Sequence, residues 1–127
     1  MSQIPENLKY TEEHEWVLVE GNTAQIGITD FAQSSLGDIV FVELPDEDTD
    51  LSKDSSFGVV ESIKSVSDLY IPVDGKVIEK NTELEDSPEK INEDAYSSWL
   101  IKIELSDASQ IDSLMSAEEY KSFCEEN

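Results

Sequence analysis

The sequence predicts a mainly β fold built from two similar β units, with a few short helices. Short segments of alternating apolar and polar residues recur along the chain, as in Leu100-Ile101-Lys102-Ile103-Glu104-Leu105, the pattern of a strand with one buried face. Turn signals punctuate them at Glu20-Gly21-Asn22 and Val73-Asp74-Gly75. The chain also echoes itself. Ile28-Thr29-Asp30-Phe31 aligns with Val66-Ser67-Asp68-Leu69, and Leu36-Gly37-Asp38-Ile39-Val40 with Asp74-Gly75-Lys76-Val77-Ile78, at a constant offset of 38 residues. Asp and Gly recur unchanged and five other pairs keep their chemical type, so two like units would each bury an apolar face against the other.

Taken in order, Glu15–Val19 and Ala24–Ile28 read as a hairpin about Gly21. Asp30 is expected to cap a helix over Phe31–Leu36, with Gln33 at its third position and Gly37 as its stop. A strand at Asp38–Leu44 leads into Pro45–Asp50, too acidic to be anything but a loop. Phe57–Ile63 and Val66–Ile71 are strands meeting at a tight turn, with Lys64 at its tip and at the junction of the two units. Pro72 keeps Tyr70–Val73 extended where the first copy makes a helix. Lys76–Lys80 is a strand, Ser87-Pro88 opens barely one helical turn to Ile91, and Trp99–Leu105 is the last strand. Ser116-Ala117-Glu118-Glu119 is a capping box with Met115 and Tyr120 spaced as a hydrophobic staple, which turns Tyr120, Phe123 and Cys124 toward the sheet. The expected organisation is one domain over 1–127, its core at about 23–105, with the N-terminal hairpin and C-terminal helix packed on it.

Composition narrows the function. Thirty acidic residues face eight basic ones, all lysine, for a net charge of −22. Nucleic acid and anionic membranes both require clustered cations, so neither is an expected partner. The chain is self-repelling, expected to be monomeric, and steered toward basic protein surfaces. A hydrophobic content of 38% is too rich for a disordered acidic chain. Cys124 is the single cysteine, which excludes an intrachain disulfide or a CxxC motif. Met1-Ser2-Gln3-Ile4-Pro5-Glu6 has neither a basic nor an apolar run, so the expected compartment is the cytoplasm, or the mitochondrial matrix if a presequence has been removed.

No catalytic constellation emerges. His14 is the single histidine, expected to pack beside Trp16, and there is no dinucleotide fingerprint, phosphate loop or nucleophile elbow. A carrier or a binding module remains. Most exposed lysines are only solvated charges. A lysine on a tight turn between rigid strands, however, is also where an acid cofactor can be joined as a stable amide on a long arm.

Glu61-Ser62-Ile63-Lys64-Ser65-Val66-Ser67-Asp68-Leu69, followed by Ile71-Pro72-Val73-Asp74-Gly75-Lys76-Val77, resembles the lipoyl-lysine segment of the glycine cleavage system H-protein family. Tyr10-Thr11-Glu12-Glu13-His14-Glu15-Trp16-Val17 resembles its N-terminal signature, and Ile26–Gln33 with Leu36–Pro45 its most recognisable block. Ile91-Asn92-Glu93-Asp94 and Trp99–Ile103 resemble the later blocks, so the likeness covers nearly the whole chain in order. It implies a barrel-sandwich hybrid of the lipoyl/biotinyl type and lipoic acid in amide linkage to Lys64. It implies partners too: the P protein (the pyridoxal-phosphate glycine decarboxylase) as donor of an aminomethyl group, the tetrahydrofolate-dependent T protein as acceptor, the L protein (dihydrolipoamide dehydrogenase) as reoxidant, and a lipoylating enzyme. Glu15 and Asp68 match acidic positions near a cleft that shelters the loaded arm, Ser62 is expected among the residues about that arm, and Glu61 would help present the turn to the lipoylating enzyme.

Ala95-Tyr96-Ser97-Ser98-Trp99 departs from the family, which often has two glycines there, and is expected to stiffen or reshape that loop. Ser35 offers weaker recognition in the cleft region than a larger polar side chain. A biotinyl domain is disfavoured because Ile63 and Ser65, not methionines, flank the lysine, and a 2-oxoacid dehydrogenase lipoyl domain because its N-terminus differs. An H-like protein relaying lipoyl groups to other enzymes, and an unmodified acidic interaction module, stay open.

Overall fold

The computed structural model describes residues 4–126; Met1–Gln3, part of the segment read for targeting signals, lie outside the described residues. The described residues form strands β1 (Lys9–Tyr10), β2 (Glu15–Glu20), β3 (Thr23–Ile28), β4 (Ile39–Glu43), β5 (Asp50–Leu51), β6 (Ser56–Ser62), β7 (Val66–Tyr70), β8 (Gly75–Lys80) and β9 (Ile101–Leu105). Helices α1 (Asp30–Leu36), α2 (Thr82–Asp86), α3 (Lys90–Glu93) and α4 (Ala117–Glu126) and a 3₁₀ stretch at Ala108–Ser113 connect and cover them. One antiparallel sheet runs β1-β2-β3-β9-β8-β5 and the other β4-β6-β7. Apolar residues from both sheets, Ile26, Ile101 and Ile103 from one and Val42, Val60 and Leu69 from the other, share one core with Leu84 of α2 and Ile91 of α3.

The sequence echo is visible in the connectivity. The first unit sends β3 into the larger sheet and β4 and β6 into the smaller; the second sends β7 into the smaller and β8 and β9 into the larger. The pair β4–β6 matches β8–β9, and β6–β7 matches β9–β3. The fold is thus mainly β in two sheets with approximate twofold symmetry, and Lys64 lies where the chain leaves one unit for the other.

Several local expectations are corrected. Thr29, not Asp30, caps α1: its hydroxyl accepts from the Ala32 amide at 3.2 Å, while Asp30 is the first helical residue and accepts from Gln33 Nε2 at 2.7 Å. Thr29 holds the cap because the Tyr120 hydroxyl pins its Oγ1 at 2.7 Å. The acidic loop yields Asp50 to β5, which pairs with Lys76. Gly75 serves close packing rather than a turn, since a Cβ there would stand 2.9 Å from the Glu104 carbonyl of β9. Pro88 precedes α3 instead of sitting inside it. Ser97 and Ser98 are absent from the positive-φ residues, so their backbone has no need of glycine, and buried Ser98 donates to the Lys90 carbonyl at 3.1 Å.

The C-terminal reading holds in detail. The Glu119 amide donates to Ser116 Oγ at 3.2 Å and the Ser116 amide to Glu119 Oε1 at 3.0 Å, closing both arms of the capping box. Tyr120 stacks on Tyr10 at 4.7 Å, and Met115, Phe123 and Cys124 pack on a second apolar cluster with Leu8 and Trp16. His14 is turned the other way from its expected neighbour: its ring stacks on Phe31 at 4.6 Å and its Nδ1 lies 2.7 Å from the Tyr120 hydroxyl. Among the described residues no helix is long and apolar enough to cross a membrane.

Candidate functional site

The β6–β7 turn is built before its lysine is used. Glu61 and Val66 form the last strand pair, and the Ser62 amide donates to the Ser65 carbonyl at 2.8 Å. Ser62 Oγ then accepts from the amides of Lys64 and Ser65, each at 3.2 Å, a hydroxyl-capped turn that fixes the tip. The Ile63 amide donates to the Asp38 carbonyl at 3.0 Å, tying the tip to the chain that leaves α1. None of these bonds uses the Lys64 side chain, which is exposed. Its stem passes over Gly37, where a Cβ would meet Lys64 Cε at 3.4 Å. With φ at 79°, Gly37 both ends α1 and leaves a smooth bed beneath the lysine.

A second feature lies at the opposite end of β7. A cleft of about 350 Å³ is walled by Thr11, Glu13, Lys53, Asp54 and Tyr70, with Glu15 among its lining residues. A tight turn produces this placement: His14 adopts φ 63° and its amide donates to the Thr11 carbonyl at 3.1 Å, while Thr11 Oγ1 accepts from the Glu13 and Glu15 amides. Glu15 is thereby turned inward and is only 2% exposed. Its Oε2 accepts from the Tyr70 amide at 2.9 Å and its Oε1 from the Thr11 hydroxyl at 3.4 Å, joining the larger sheet to the smaller. Burial pushes this carboxyl up to about 8, against the opposing pull of the Tyr70 hydrogen bond and with a further push from the charge of Glu13. Burial thus favours the protonated form of Glu15 at neutral pH.

The structure brings Glu61, Ser62 and Lys64 together at the tip and sets Glu15 apart in the cleft. Asp68 joins neither group: it is exposed on β7 opposite Val59, two residues before Tyr70 and outside the cleft lining. Ser35 is exposed on α1 and also lies outside that lining. Sequence reasoning missed three contributors, the bed at Gly37, the Thr11 hydroxyl and the Tyr70 amide. A Thr four residues before an acid inside a turn is a weak signal for the second; for a glycine beneath a distant lysine there is none.

Compared with known proteins, residues 8–127 match the family described as Glycine cleavage H-protein. The glycine cleavage system H protein of Staphylococcus haemolyticus is 60% identical over 119 residues, covering 93% of this chain and 94% of that protein. That of Halalkalibacterium halodurans is 60% identical over 127 residues, covering 99% of each. Among solved structures, the crystal structure of a glycine cleavage system H protein from Mycobacterium marinum superposes with a TM-score of 0.86 at 37% identity, covering 94% of this chain and 97% of that one.

Proposed function

The chain belongs to the glycine cleavage H-protein family, the lipoyl carriers of glycine cleavage rather than catalysts, and on that premise we propose that its lipoic acid is joined by an amide bond to Lys64. The observation that carries the assignment is the tip itself: an exposed lysine whose side chain takes no part in the hydrogen bonds that hold its turn. The residues present fit the group, because the Lys64 stem has a side-chain-free bed at Gly37 and the residue is exposed. Bound there, the group supplies a dithiolane able to take up an aminomethyl cargo and, once emptied, to be reoxidised.

The chain's own residues hold, aim and shelter. Ser62 keeps the turn rigid so that the amine is offered in one direction, and Glu61 beside it faces an approaching enzyme. The cleft rim at Tyr70 lies about 13 Å along β7 from Val66, at the usual rise of a strand. Asp68 stands between the two ends and guides a cationic cargo toward the cleft. There an entering ammonium would favour the ionised form of Glu15, its proton passing to solvent, and the carboxylate would hold the cation by a charge-assisted hydrogen bond. Water is thinned around the pair by the apolar Ile71 and Pro72 walls. The partners are the P protein as loader, the T protein as unloader and the L protein as reoxidant, meeting the carrier in the cytoplasm.

Intact-mass spectrometry of protein from its native cells, with peptide mapping, tests the assignment. A lipoyl increment on Lys64 is expected, with none on the Lys64→Arg protein, which keeps the charge but loses the acylatable amine. An increment that survives Lys64→Arg, or Lys64 persistently unmodified, would overturn it.

A further inference from the structure

The smaller sheet turns an unusual face to solvent beside the tip. Residues opposite one another across an antiparallel sheet share a face. Phe41 pairs with Glu61 and Glu61 with Val66, so these three form one row across all three strands. Val42 and Val60, one step along, point into the core. The row therefore lies on the outer face, where Phe41 is 43% and Val66 65% exposed. The next row on that face is Glu43, Val59 and Asp68. Val40 adds to the patch through an irregularity: the register shifts between Ile39 and Phe41, so Val40 and Phe41 are both exposed where regular alternation would bury one. Ile63, 67% exposed, continues the apolar surface onto the turn itself.

We infer that this apolar row edged by acids is the docking surface of the enzyme that attaches the acyl group to Lys64, an enzyme presenting an apolar depression bordered by basic side chains. The inference rests on the carrier reading above. An enzyme working on the lysine amine must approach the base of the arm, and the base of the arm is where Ile63, Val66 and Phe41 stand. An enzyme acting on the far end of a loaded arm has no need to cover them. Clustered exposed apolar side chains mark interaction sites, and the Glu43–Asp68 row together with the net charge of −22 specifies the sign of the surrounding surface. In the step served, the neutral Lys64 amine forms a C–N bond to the carbonyl of an activated acyl donor of mixed-anhydride type. The bond from that carbonyl to its leaving group breaks, the leaving group departs with the electron pair, and a proton passes from nitrogen to solvent.

The test uses the unmodified full chain, purified lipoyl-attaching enzyme, lipoate and ATP, with incorporation read by intact mass. A Phe41→Ser, Val66→Ser double variant is expected to lose about tenfold in kcat/KM, carried by KM, because only docking is weakened. Ile78→Ser on β8, 42% exposed in the other sheet, should match the parent chain. Once fully acylated at saturating concentration, the double variant should accept an aminomethyl group from glycine within about twofold of the parent. Unchanged KM for attachment, or a fall in kcat alone, overturns the docking surface while leaving the carrier reading intact. Normal attachment with lost aminomethyl loading overturns it too, by giving the face to the decarboxylase. Incorporation into Lys64→Arg would instead sink the carrier reading. Near-UV circular dichroism confirms that the variants are folded.

Discussion

Replacing Glu15 by Gln isolates the cost of a buried carboxylate. Glu15 is 2% exposed and its proton is held up to about 8, against an ordinary value of 4.5. Across that interval the folded chain binds a proton that the unfolded chain has lost, so folding takes up a proton and stability falls as pH rises. The contribution is fully present below the ordinary carboxyl value and is gone above about 8. At about 1.4 kcal/mol for each pH unit crossed, the ceiling is about 5 kcal/mol; relaxation of the protein around the charge reduces the realised loss to about 2–4 kcal/mol. Gln has the same shape, is neutral at every pH, and can still accept from the Tyr70 amide through Oε1. The assay is urea unfolding followed by tryptophan fluorescence at pH 5 and pH 9. The other acids repel one another alike in both proteins, so the difference between them reports Glu15 alone. The parent chain should lose about 2–4 kcal/mol more than Glu15→Gln between the two pH values, leaving the variant the more stable at pH 9. Parallel pH profiles, within about 0.5 kcal/mol, would mean that Glu15 is ionised throughout and that the cleft is no low-dielectric site.

Gly37→Ala should cost about 1–2 kcal/mol in thermal unfolding, because φ 79° is strained for alanine; its methyl would lie in contact with the Lys64 stem, and lipoylation of Lys64 at limiting enzyme should slow alongside it. Gly27→Ala places a Cβ 2.5 Å from the Trp16 ring across the β2–β3 ladder, an overpacking expected to cost about 1–3 kcal/mol and to shift the near-UV circular dichroism of the indole. Tyr120→Phe removes the hydroxyl shared by His14 Nδ1 and Thr29 Oγ1, both at 2.7 Å. About 1–3 kcal/mol should be lost, and amide exchange should accelerate at Ala32, whose cap is Thr29.

How legible the molecule was depends on the range of the forces involved. Strands of five or more residues announce themselves by alternation, and β2, β3, β4, β6, β7, β8 and β9 fall within a residue or two of their expected limits. The two-residue strands β1 and β5 carry no periodicity, and they exist because Trp16 of β2 and Lys76 of β8 offer them partners. The capping box at Ser116 was readable because all its parts lie within four residues. The cap of α1 was misread because Thr29 and Asp30 are both good capping residues, and the choice falls to Tyr120, 91 residues away. The same division runs through the site. Lys64 and its turn are local and were legible; the burial of Glu15 depends on Tyr70 arriving from the other sheet, which no local pattern encodes.

The matched connectivity gives the scaffold two corners of one kind. One is the free hairpin at Ser62–Ser65. Its mate lies where β9 meets β3, with Thr23 opposite Glu104 and the Leu105 amide donating to the Asn22 carbonyl at 2.9 Å. No short turn closes that second corner. The β2 hairpin departs from one side and the 3₁₀ stretch and α4 from the other, and they meet again at the Tyr10–Met115 bridge and the Tyr10–Tyr120 stack. A plain twofold sandwich would display two equivalent addresses, and a visiting enzyme would have to discriminate between them. By using its second corner as a seam for added packing, this chain breaks the degeneracy. Among the described residues it leaves the Ser62–Ser65 hairpin as the corner of that kind still free.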